Sequence, residues 1–335
     1  EKEGEDIGAD LWDAVANAKE IKLPVPSFGG MKFKSGVDAM KSKAEPTFEI
    51  IESFLPQNQQ ILIAGTKKAN KSMLMMQMGM ALANNENKFL EFDINAQDVE
   101  VLYVDSENGE KIFDYRMQML ATTFPNFATN GAKRFNYITK DSKEDNMMKK
   151  IDDAVKYFRP NVLVVDCLYN CTGGIDMGKD YSLTPVLDSI TEMKQKYDLT
   201  IPSVHHLNKG LHELGLITDR MRGASNLLFW MEHSVLMCRT NDPFLRLLKF
   251  GETRSIGVPD CYYGLEFNPK DYSLTSKGIV EDWEQYLITA KKKKNYEYYL
   301  SFMDDEFTTD DWHKKTWDDE VPSSTSEKWL YHCRD

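Results

Sequence analysis

The sequence predicts an α/β protein whose core is a mostly parallel sheet flanked by helices, and three observations support this. From Pro46 onward, short apolar runs alternate with longer helix-like segments. Such alternation is typical of a parallel sheet with helices on both faces. A glycine- and lysine-containing turn follows the first apolar run, and two later runs end in acidic residues. Parallel sheets bind ligands at the carboxyl ends of their strands, so these polar residues are the candidate site.

Apolar runs and helical periodicity predict the elements of this core in order. The alternating strands are Gln60–Ala64, Val99–Asp105, Phe135–Thr139, Asn161–Asp166 and Ile201–His205. Helices are predicted between them at about 71–84, 109–122, 144–158 and 182–197. A further helix at Gly223–Trp230 precedes a strand-rich region that extends the sheet with antiparallel hairpins. Its predicted strands are Ser234–Cys238, Leu245–Phe250, Tyr262–Phe267 and Tyr272–Thr275.

Changes in composition divide the chain into an arm at 1–45, a core domain at 46–280 and a helical segment at 281–335. In the arm, Leu11–Ala18 predicts a short helix and Pro24–Gly36 a linker. The last segment predicts helices at about 281–301, 308–317 and 323–333, with Asp310 and either Ser323 or Ser324 as caps. The last two resemble the helix pair of a winged-helix module, although a packing or protein-contact role fits equally well.

Composition limits the classes of protein that fit. No apolar run approaches the ~18–20 residues that span a bilayer, and no signal peptide opens the chain, so we expect a cytoplasmic protein. The five cysteines form no CxxC pair, which favours a reducing compartment. A net charge of −12 argues against a broad basic surface for duplex DNA. It does not exclude nucleic acid, because a ring-shaped protein can carry a few cations on the loops that line its channel. Because the chain begins at Glu1 without Met, we expect a piece of a longer protein.

The strongest motif is a phosphate-binding loop at Gly65–Ser72, between a predicted strand and a predicted helix. Backbone N–H groups of such a loop converge on phosphates, the Lys71 ammonium reaches the β- and γ-phosphates, and the Ser72 hydroxyl binds Mg²⁺. Asn70 stands where the motif has its second glycine, a position that needs positive φ, which asparagine tolerates. The predicted nucleotide-binding residues are Gly65, Thr66, Lys67, Lys68, Ala69, Asn70, Lys71, Ser72 and Met73.

Three further strand ends carry residues that a nucleotide site needs. Leu102–Glu107 ends in acids, and Glu107, or Asp105 as the alternative, can polarise an attacking water. Val162–Asp166 has the form of a Walker B strand, whose Asp166 carboxylate binds Mg²⁺ through water. Ser203–Lys209 holds His205 and His206, one of which can sense the γ-phosphate. Adjacent histidines on a strand point to opposite faces, so we expect no metal site at this pair.

The ordered set of motifs resembles the RecA-like P-loop ATPases of the RepA group, which are hexameric replicative helicases related to DnaB and to RadA-type ATPases. The resemblance covers about residues 46–280, and two later segments contribute to it. Arg220–Ser225 resembles the segment that opens the next helix, and Lys249–Arg254 resembles a strand whose Lys and Arg enter a neighbouring subunit's site. The family usually has this Lys and Arg two residues apart, whereas Glu252 stands there in this chain.

The resemblance implies a function and a role for each site residue. It implies ATP and Mg²⁺ as ligands, Glu107 as catalytic base, Asp166 and Ser72 as metal ligands, and His206 as the γ-phosphate sensor. It also implies Arg254 as an arginine finger supplied in trans, within a homo-oligomer expected to be a hexamer. The expected activity is ATP-driven translocation of single-stranded DNA in a bacterial or phage-infected cell, with a primase or polymerase as a candidate partner.

Two loops facing the ring channel are the candidate DNA contacts. They are Tyr169–Tyr181 and Leu207–Arg222, whose cations are Lys179, Lys209, Arg220 and Arg222. Tyr169 or Tyr181 can stack on bases, and Arg222 fits the nucleotide site as well. Two other functions stay open. One is a recombination or clock-type regulatory ATPase that does not unwind DNA, and the other is a non-catalytic nucleotide-binding scaffold or origin-binding protein.

Overall fold

The structure is a computed structural model, and it describes twelve stretches of the chain. These are residues 27–28, 31–32, 35–41, 45–140, 147–172, 180–206, 216, 224–287, 300, 303, 307–317 and 323–332. The chain forms two compact units, Glu1–Pro46 and Thr47–Asp335. None of the helices in the described stretches is long and apolar enough to cross a membrane.

The described residues of the first unit form a small hairpin and a short helix. Strands β1 (Ser27–Phe28) and β2 (Met31–Lys32) pair antiparallel, and helix α1 (Gly36–Lys41) follows. Ser35 caps this helix, because its hydroxyl oxygen accepts a hydrogen bond from the Asp38 N–H. This hairpin and the first residue of α1 fall within 24–36, the range predicted as a linker. The helix predicted at Leu11–Ala18 lies outside the described residues.

The second unit holds a nine-stranded sheet with a parallel centre and an antiparallel edge. The strands of the unit are β3 (Glu49–Ile51), β4 (Leu55–Pro56), β5 (Gln60–Gly65), β6 (Lys88–Phe89), β7 (Phe92–Asp93), β8 (Val101–Asp105), β9 (Phe135–Thr139), β10 (Val162–Asp166), β11 (Ile201–His206), β12 (His233–Arg239), β13 (Leu245–Thr253), β14 (Tyr262–Phe267) and β15 (Leu274–Ile279). The strand order in the sheet is β15-β14-β13-β12-β5-β11-β10-β8-β9. The strands from β12 to β9 in this order are parallel, and β13, β14 and β15 are antiparallel. The predicted fold class is confirmed.

Helices cover both faces of this sheet. Within the described stretches, these helices are α2 (Lys71–Ala83), α3 (Glu110–Ala121), α4 (Met147–Phe158), α5 (Asp180–Tyr197) and α6 (Ala224–Trp230). Two later helices, α7 (Thr309–Trp317) and α8 (Ser323–His332), pack against each other. Single 3₁₀ turns lie at Gly131–Lys133, Leu168–Thr172 and Trp283–Tyr286. The predicted core helices and strands all appear, with ends that move by one to three residues where the chain is described and with the fourth late strand shifted to Leu274–Ile279.

The alternation of side chains along each strand divides the core into two apolar layers. On β5, Ile61 and Ile63 pack with the methionines of α2 and with the aromatic side chains around Phe54. Leu62 and Ala64 point to the opposite face and pack against α4 and α5. Nearly every residue of α2 is buried, as expected for a helix that is apolar on all sides. The sheet is thus fixed from both sides, which holds its strand ends in place.

The C-terminal segment departs from the sequence prediction at its start. Residues Trp283–Tyr286 form a 3₁₀ turn rather than the beginning of a helix at 281–301, because Trp283 stacks on Tyr262 at 4.1 Å and Leu287 pairs with Thr240. The rest of that predicted helix lies largely outside the described residues. Helices α7 and α8 form as predicted, and the buried Trp312 Nε1 joins them by donating to Ser326. Thr308, not Asp310, caps α7, because its hydroxyl accepts from the Asp311 N–H.

The buried His233 predicts a pH-dependent stability. Its ring is fully buried beside Phe250, and burial lowers its pKa from 6.5 to about 4. Between these pH values the unfolded chain binds a proton that the folded chain does not, so stability falls as the pH falls from 6.5 to 4. At about 1.4 kcal/mol for each pH unit, the expected loss of unfolding free energy is about 3 kcal/mol.

Denaturant unfolding from pH 8 to pH 4 measures this loss. The His233→Asn variant has no titrating ring and should lack this part of the pH dependence. At pH 8, where His233 is neutral in both states, the two proteins should differ only by packing. Parallel pH profiles for wild type and variant would show that His233 does not titrate as the fold implies.

Candidate functional site

The polar residues predicted as a site meet at the carboxyl edge of four adjacent parallel strands. Asp105 at the end of β8 lies level with Asp166 at the end of β10, and Gly65 at the end of β5 lies level with His206 at the end of β11. Because β10 also pairs with β11, all four strand ends form one edge. The register alone therefore brings these residues together from positions far apart in the chain.

The turn after β5 has the conformation that a phosphate-binding loop requires. A Cβ atom on Gly65 would lie 2.3 Å from the carbonyl oxygen of Met237, so only glycine fits at the strand end. Lys68 and Asn70 adopt positive φ values of 61° and 66°, and α2 begins at Lys71. The loop is thus a compact turn that leads directly into a helix N-terminus, where free N–H groups favour an anion.

The remaining loop residues divide between surface and core. Lys67 and Lys68 are exposed, whereas Thr66, Ala69 and Met73 are buried. The Thr66 hydroxyl accepts a hydrogen bond from the Arg239 N–H, which ties the loop to β12. This hydrogen bond holds the loop backbone in place, in keeping with recognition of phosphates by backbone N–H groups.

Asn70 replaces the expected glycine without disturbing this geometry. It takes up the left-handed conformation at φ 66° and ψ 28°. Its side-chain oxygen accepts a hydrogen bond of 2.8 Å from Arg246 Nε on β13. Arg246 therefore holds the substituted position from outside the motif, and the sequence analysis did not identify it as a site residue.

Lys71 is buried at the centre of the strand edge. Its Nζ donates to the carbonyl oxygens of Gly65 and Thr66, each at 3.0 Å, and lies 3.4 Å from His206 Nδ1. Burial lowers its pKa from 10.5 to about 8, although Asp166 and Glu107 act in the opposite direction. The two carboxylates therefore compensate only part of the desolvation of the ammonium group, and a phosphate would add the missing negative charge.

Asp166 has the surroundings of a metal ligand. The carboxyl is fully buried, and its Oδ2 accepts a 2.7 Å hydrogen bond from Tyr103. Its Oδ1 makes no well-formed hydrogen bond with any described residue, which is unusual for a buried carboxyl oxygen. Burial raises its pKa to about 6, while hydrogen bonds from Tyr103 and Ser72 act the other way. A buried, partly unsatisfied carboxyl beside a serine hydroxyl fits Mg²⁺, which prefers oxygen ligands.

Tyr103 is a site residue that the sequence analysis missed. Its ring fills the core beneath α2, and its hydroxyl reaches both Asp166 Oδ2 and the backbone oxygen of Ser72 at 3.3 Å. It therefore joins the two residues predicted to bind Mg²⁺. In the sequence it looks like one more apolar residue of a buried strand, and only the pairing of β8 with β10 reveals the contact.

The loop after β8 distinguishes between the two candidate bases. Asp105 Oδ1 accepts hydrogen bonds from the N–H groups of Glu107 and Asn108, both at 2.9 Å, so its carboxylate holds the turn. Ser106 ties the same turn to β10 through its backbone N–H, which donates to the Asp166 carbonyl. Glu107 lies beyond this turn with its carboxylate in the cleft. The geometry thus favours Glu107 over Asp105 as a base.

His206 connects the base to the loop lysine. Its Nδ1 lies 3.4 Å from Lys71 Nζ, and its Nε2 lies 3.4 Å from Glu107 Oε1. The hydrogen bond from His206 is the largest influence that lowers the pKa of Glu107, so the carboxylate is held ionised. His206 lines the cleft, whereas His205 is buried on the other side of the strand. We name Lys71, His206 and Glu107 the site chain.

A cleft of about 460 Å³ opens over these residues. Besides the predicted residues, six side chains line it that were not identified from the sequence as site residues: Asn108, Arg116, Val204, Arg246, Phe267 and Tyr272. Another cleft of about 450 Å³ lies at the opposite, amino end of the strands, near Asn58 and Asn161, and none of the predicted site residues lines it. The chemistry is therefore concentrated at the carboxyl edge.

Other predicted residues lie away from this cleft or outside the described residues. Arg254 is exposed, and its Nη2 donates to the carbonyl oxygen of Phe229 at 2.7 Å, at the end of α6. Lys249 forms an ion pair with Asp260 at 2.7 Å. Neither residue lines the cleft of its own chain, and their predicted action on a neighbouring subunit stays a prediction. The predicted DNA contacts Lys179, Lys209, Arg220 and Arg222 lie outside the described residues.

The fold and site together define a RecA-type P-loop ATPase, and comparison with known proteins agrees. The AAA_25 family model, described as an AAA domain, matches residues 31–211. This is more than half of the chain, and the chain belongs to this family. A KaiC-like protein of the hyperthermophilic archaeon Pyrococcus horikoshii has a similar fold, with a TM-score of 0.51 and 14% sequence identity. The alignment covers 68% of this chain and 93% of that protein. No curated protein matches the chain in sequence.

The loop conformation predicts that two substitutions of Asn70 differ in their effect on stability. Both Asn70→Gly and Asn70→Ala remove the hydrogen bond with Arg246, so their difference isolates the backbone. The left-handed conformation costs alanine about 1–2 kcal/mol, and the greater freedom of glycine in the unfolded chain cancels part of this. In urea unfolding we expect Asn70→Gly to be the more stable by about 1 kcal/mol. A more stable alanine variant would contradict the loop geometry.

Tyr103 predicts a link between the core and metal affinity. Tyr103→Phe keeps the ring but removes the hydroxyl that orients Asp166, so the Mg²⁺ concentration needed for half-maximal ATP binding should rise about 10-fold or more. The control is Tyr137→Phe on the neighbouring strand β9, which removes a tyrosine hydroxyl that donates to Asp114 of α3, away from the cleft. Nucleotide binding titrated against Mg²⁺ measures both variants, and an equal requirement in both would rule out this role of Tyr103.

Proposed function

We propose that this chain hydrolyses ATP and uses the energy to move on single-stranded DNA. The observation that carries the proposal is the site chain, in which His206 lies between Lys71 and Glu107. In this proposal the loop amides and Lys71 bind the β- and γ-phosphates, and Glu107 accepts a proton from the attacking water. Positioning and electrostatic stabilisation supply most of the rate enhancement in phosphoryl transfer, and these residues supply both.

Ser72 and Asp166 are the residues that would hold Mg²⁺ in this site. When bound, the ion neutralises charge on the phosphate oxygens. Three other residues position the site: Tyr103 orients Asp166, Asp105 holds the turn that carries Glu107, and Arg246 holds Asn70. The buried position of Lys71 also excludes water from its contact with the phosphates, which strengthens that contact.

The proposed coupling to DNA starts from the position of His206 in the chain. His206 is the last residue of β11, and the segment after it carries Lys209, Arg220 and Arg222. A change at the γ-phosphate that shifts His206 would pull directly on this segment. We therefore propose that it and the segment with Lys179 contact the phosphates of a single strand, as in sequence-neutral channels.

The same proposal places the chain in a ring, expected to be a hexamer, in which Arg254 acts on a neighbour's nucleotide. Its supporting observation is that Arg254, which directly follows β13, is exposed and does not line the cleft of its own chain. An arginine from a neighbouring subunit cancels charge that develops on the transferred phosphoryl group. The resemblance to RepA-type helicases is the reason for this proposal.

A second candidate is a regulatory ATPase that hydrolyses ATP without unwinding DNA. The similarity in fold to a KaiC-like protein favours it. So does the net charge of −12, which weakens attraction to nucleic acid away from local cationic loops. This candidate shares the ATPase site and differs only in what the site drives.

ATP turnover with and without single-stranded DNA separates these candidates. We expect single-stranded DNA to stimulate turnover, and Lys71→Ala to abolish both the basal and the stimulated rate because it removes the buried cation. Turnover that is indifferent to DNA would support the regulatory ATPase. Binding of ATP without any turnover would contradict both and favour a nucleotide-binding scaffold.

Glu107→Gln tests the catalytic base. Glutamine keeps the shape but cannot accept the proton, so hydrolysis should fall by at least about 100-fold while ATP binding persists. The control is Glu110→Gln, which changes an exposed acid three residues further on, in the first turn of α3. Single-turnover hydrolysis and nucleotide binding are measured on both. A Glu107→Gln variant that hydrolyses ATP at the rate of the control would remove Glu107 from the mechanism.

A further inference from the structure

Three side chains with different ligand atoms converge at the rim of the cleft. They are Glu107, Cys167 and His206, which come from the ends of three adjacent strands. Cys167 Sγ lies 3.2 Å from Glu107 Oε1, and His206 Nε2 lies 3.4 Å from the same oxygen. All three ligand atoms lie within 4.8 Å of one another. We name these residues the rim triad.

The spacing of the rim triad fits a four-coordinate metal ion. Zn²⁺ binds nitrogen, oxygen and sulfur ligands at about 2.0–2.3 Å, which places tetrahedral ligands about 3.3–3.8 Å apart. Of the two short distances in the triad, 3.2 Å lies just below this range and 3.4 Å lies within it, so a small adjustment of the side chains admits the ion. Mg²⁺ prefers oxygen ligands in octahedral geometry, so this donor set selects against it.

The rim triad is distinct from the pair Ser72 and Asp166, and it is reached from the cleft through two of its residues, whereas Cys167 is buried. Glu107 and His206 each expose more than a third of their side chains. His206 Nδ1 faces Lys71, which leaves Nε2 directed towards Glu107 and Cys167. A fourth position stays available for water, as in zinc sites with three protein ligands.

The Cys167 thiol lies among acidic groups. Its Sγ donates a hydrogen bond to Glu107 Oε1, and Cys167 directly follows Asp166 in the chain. A divalent cation placed among these acids reverses the local field and favours the thiolate.

We propose that the rim triad is a binding site for Zn²⁺ or a similar thiophilic divalent ion, and that its occupancy blocks the ATPase. On binding, zinc–oxygen, zinc–sulfur and zinc–nitrogen bonds form to Glu107, Cys167 and His206, and the Cys167 thiol proton passes to the buffer. Glu107 and His206 are then unavailable for hydrolysis. The metal binding stands without the proposed function, whereas the inhibition rests on it.

Co²⁺ titration of the full chain without nucleotide tests the site, because a cobalt–thiolate bond gives a characteristic absorption band. We expect one Co²⁺ per chain with this band, displaced by Zn²⁺. Cys167→Ser should abolish the band, and Glu107→Gln should weaken binding at least about 100-fold, since loss of a ligand costs more than loss of an outer partner. Cys171→Ser and Cys261→Ser are the matched controls and should keep the band.

The results that overturn the proposal are specific. A band that persists in Cys167→Ser, or that disappears in Cys171→Ser or Cys261→Ser while circular dichroism shows a folded chain, would place the metal elsewhere. If Cys167→Ser does not fold, Glu107→Gln decides alone, and unchanged affinity there would reject the site.

Inhibition is measured separately, as the effect of Zn²⁺ on turnover with Mg²⁺ in excess. We expect Zn²⁺ to inhibit the wild-type chain, and Cys167→Ser to be at least about 10-fold less sensitive relative to its own uninhibited rate. Equal sensitivity would reject the inhibitory role. Metal binding by a chain that hydrolyses no ATP would refute the proposed function and leave the metal site standing.

Discussion

The alignment of four parallel strand ends is the constraint on which the site depends. It places an ammonium group, Lys71, in a buried position between Asp166, Glu107 and His206. The lowered pKa of Lys71 corresponds to an unfavourable balance of about 3 kcal/mol for its charged form. Attraction to two carboxylates does not offset this, so the edge of the sheet is electrostatically incomplete. A ligand with several negative charges completes it, which is the property that a nucleotide site needs.

Other features of this edge of the sheet also lower the stability of the fold. Asp166 buries a carboxyl oxygen without a well-formed hydrogen bond among the described residues, and Lys68 and Asn70 adopt left-handed conformations. Each of these would be unfavourable in a protein selected for stability alone. The packing of α2 and of both apolar layers supplies the support, because it holds the strand ends from beneath. The strand edge therefore combines a buried ammonium group, a buried carboxyl and two left-handed loop residues in one place.

The sequence predicted the parts of this protein that local patterns determine. The alternating strands, the core helices and the candidate site residues Gly65, Asp166 and His206 follow from apolar runs and loop residues, although two of the strands extend one residue further than predicted. Tyr103, Arg246 and Cys167 were not predicted as site residues, because each contributes through a contact between strands distant in sequence. Two-residue strands such as β6 and β7 carry too little pattern to be recognised. The helix predicted at 281–301 failed at its start because the stacking of Trp283 on Tyr262 outweighs local propensity.

The central claim is that His206 and Glu107 act as one unit on the attacking water, and a double-mutant cycle in ATP hydrolysis tests it most directly. Rates are measured for wild type, Glu107→Gln, His206→Asn and the double variant, each with ATP binding confirmed. If the two side chains act as a unit, the double variant should be about as slow as the slower single variant, since either change already disables the pair. Independent effects, in which the two losses multiply in the double variant, would contradict the account.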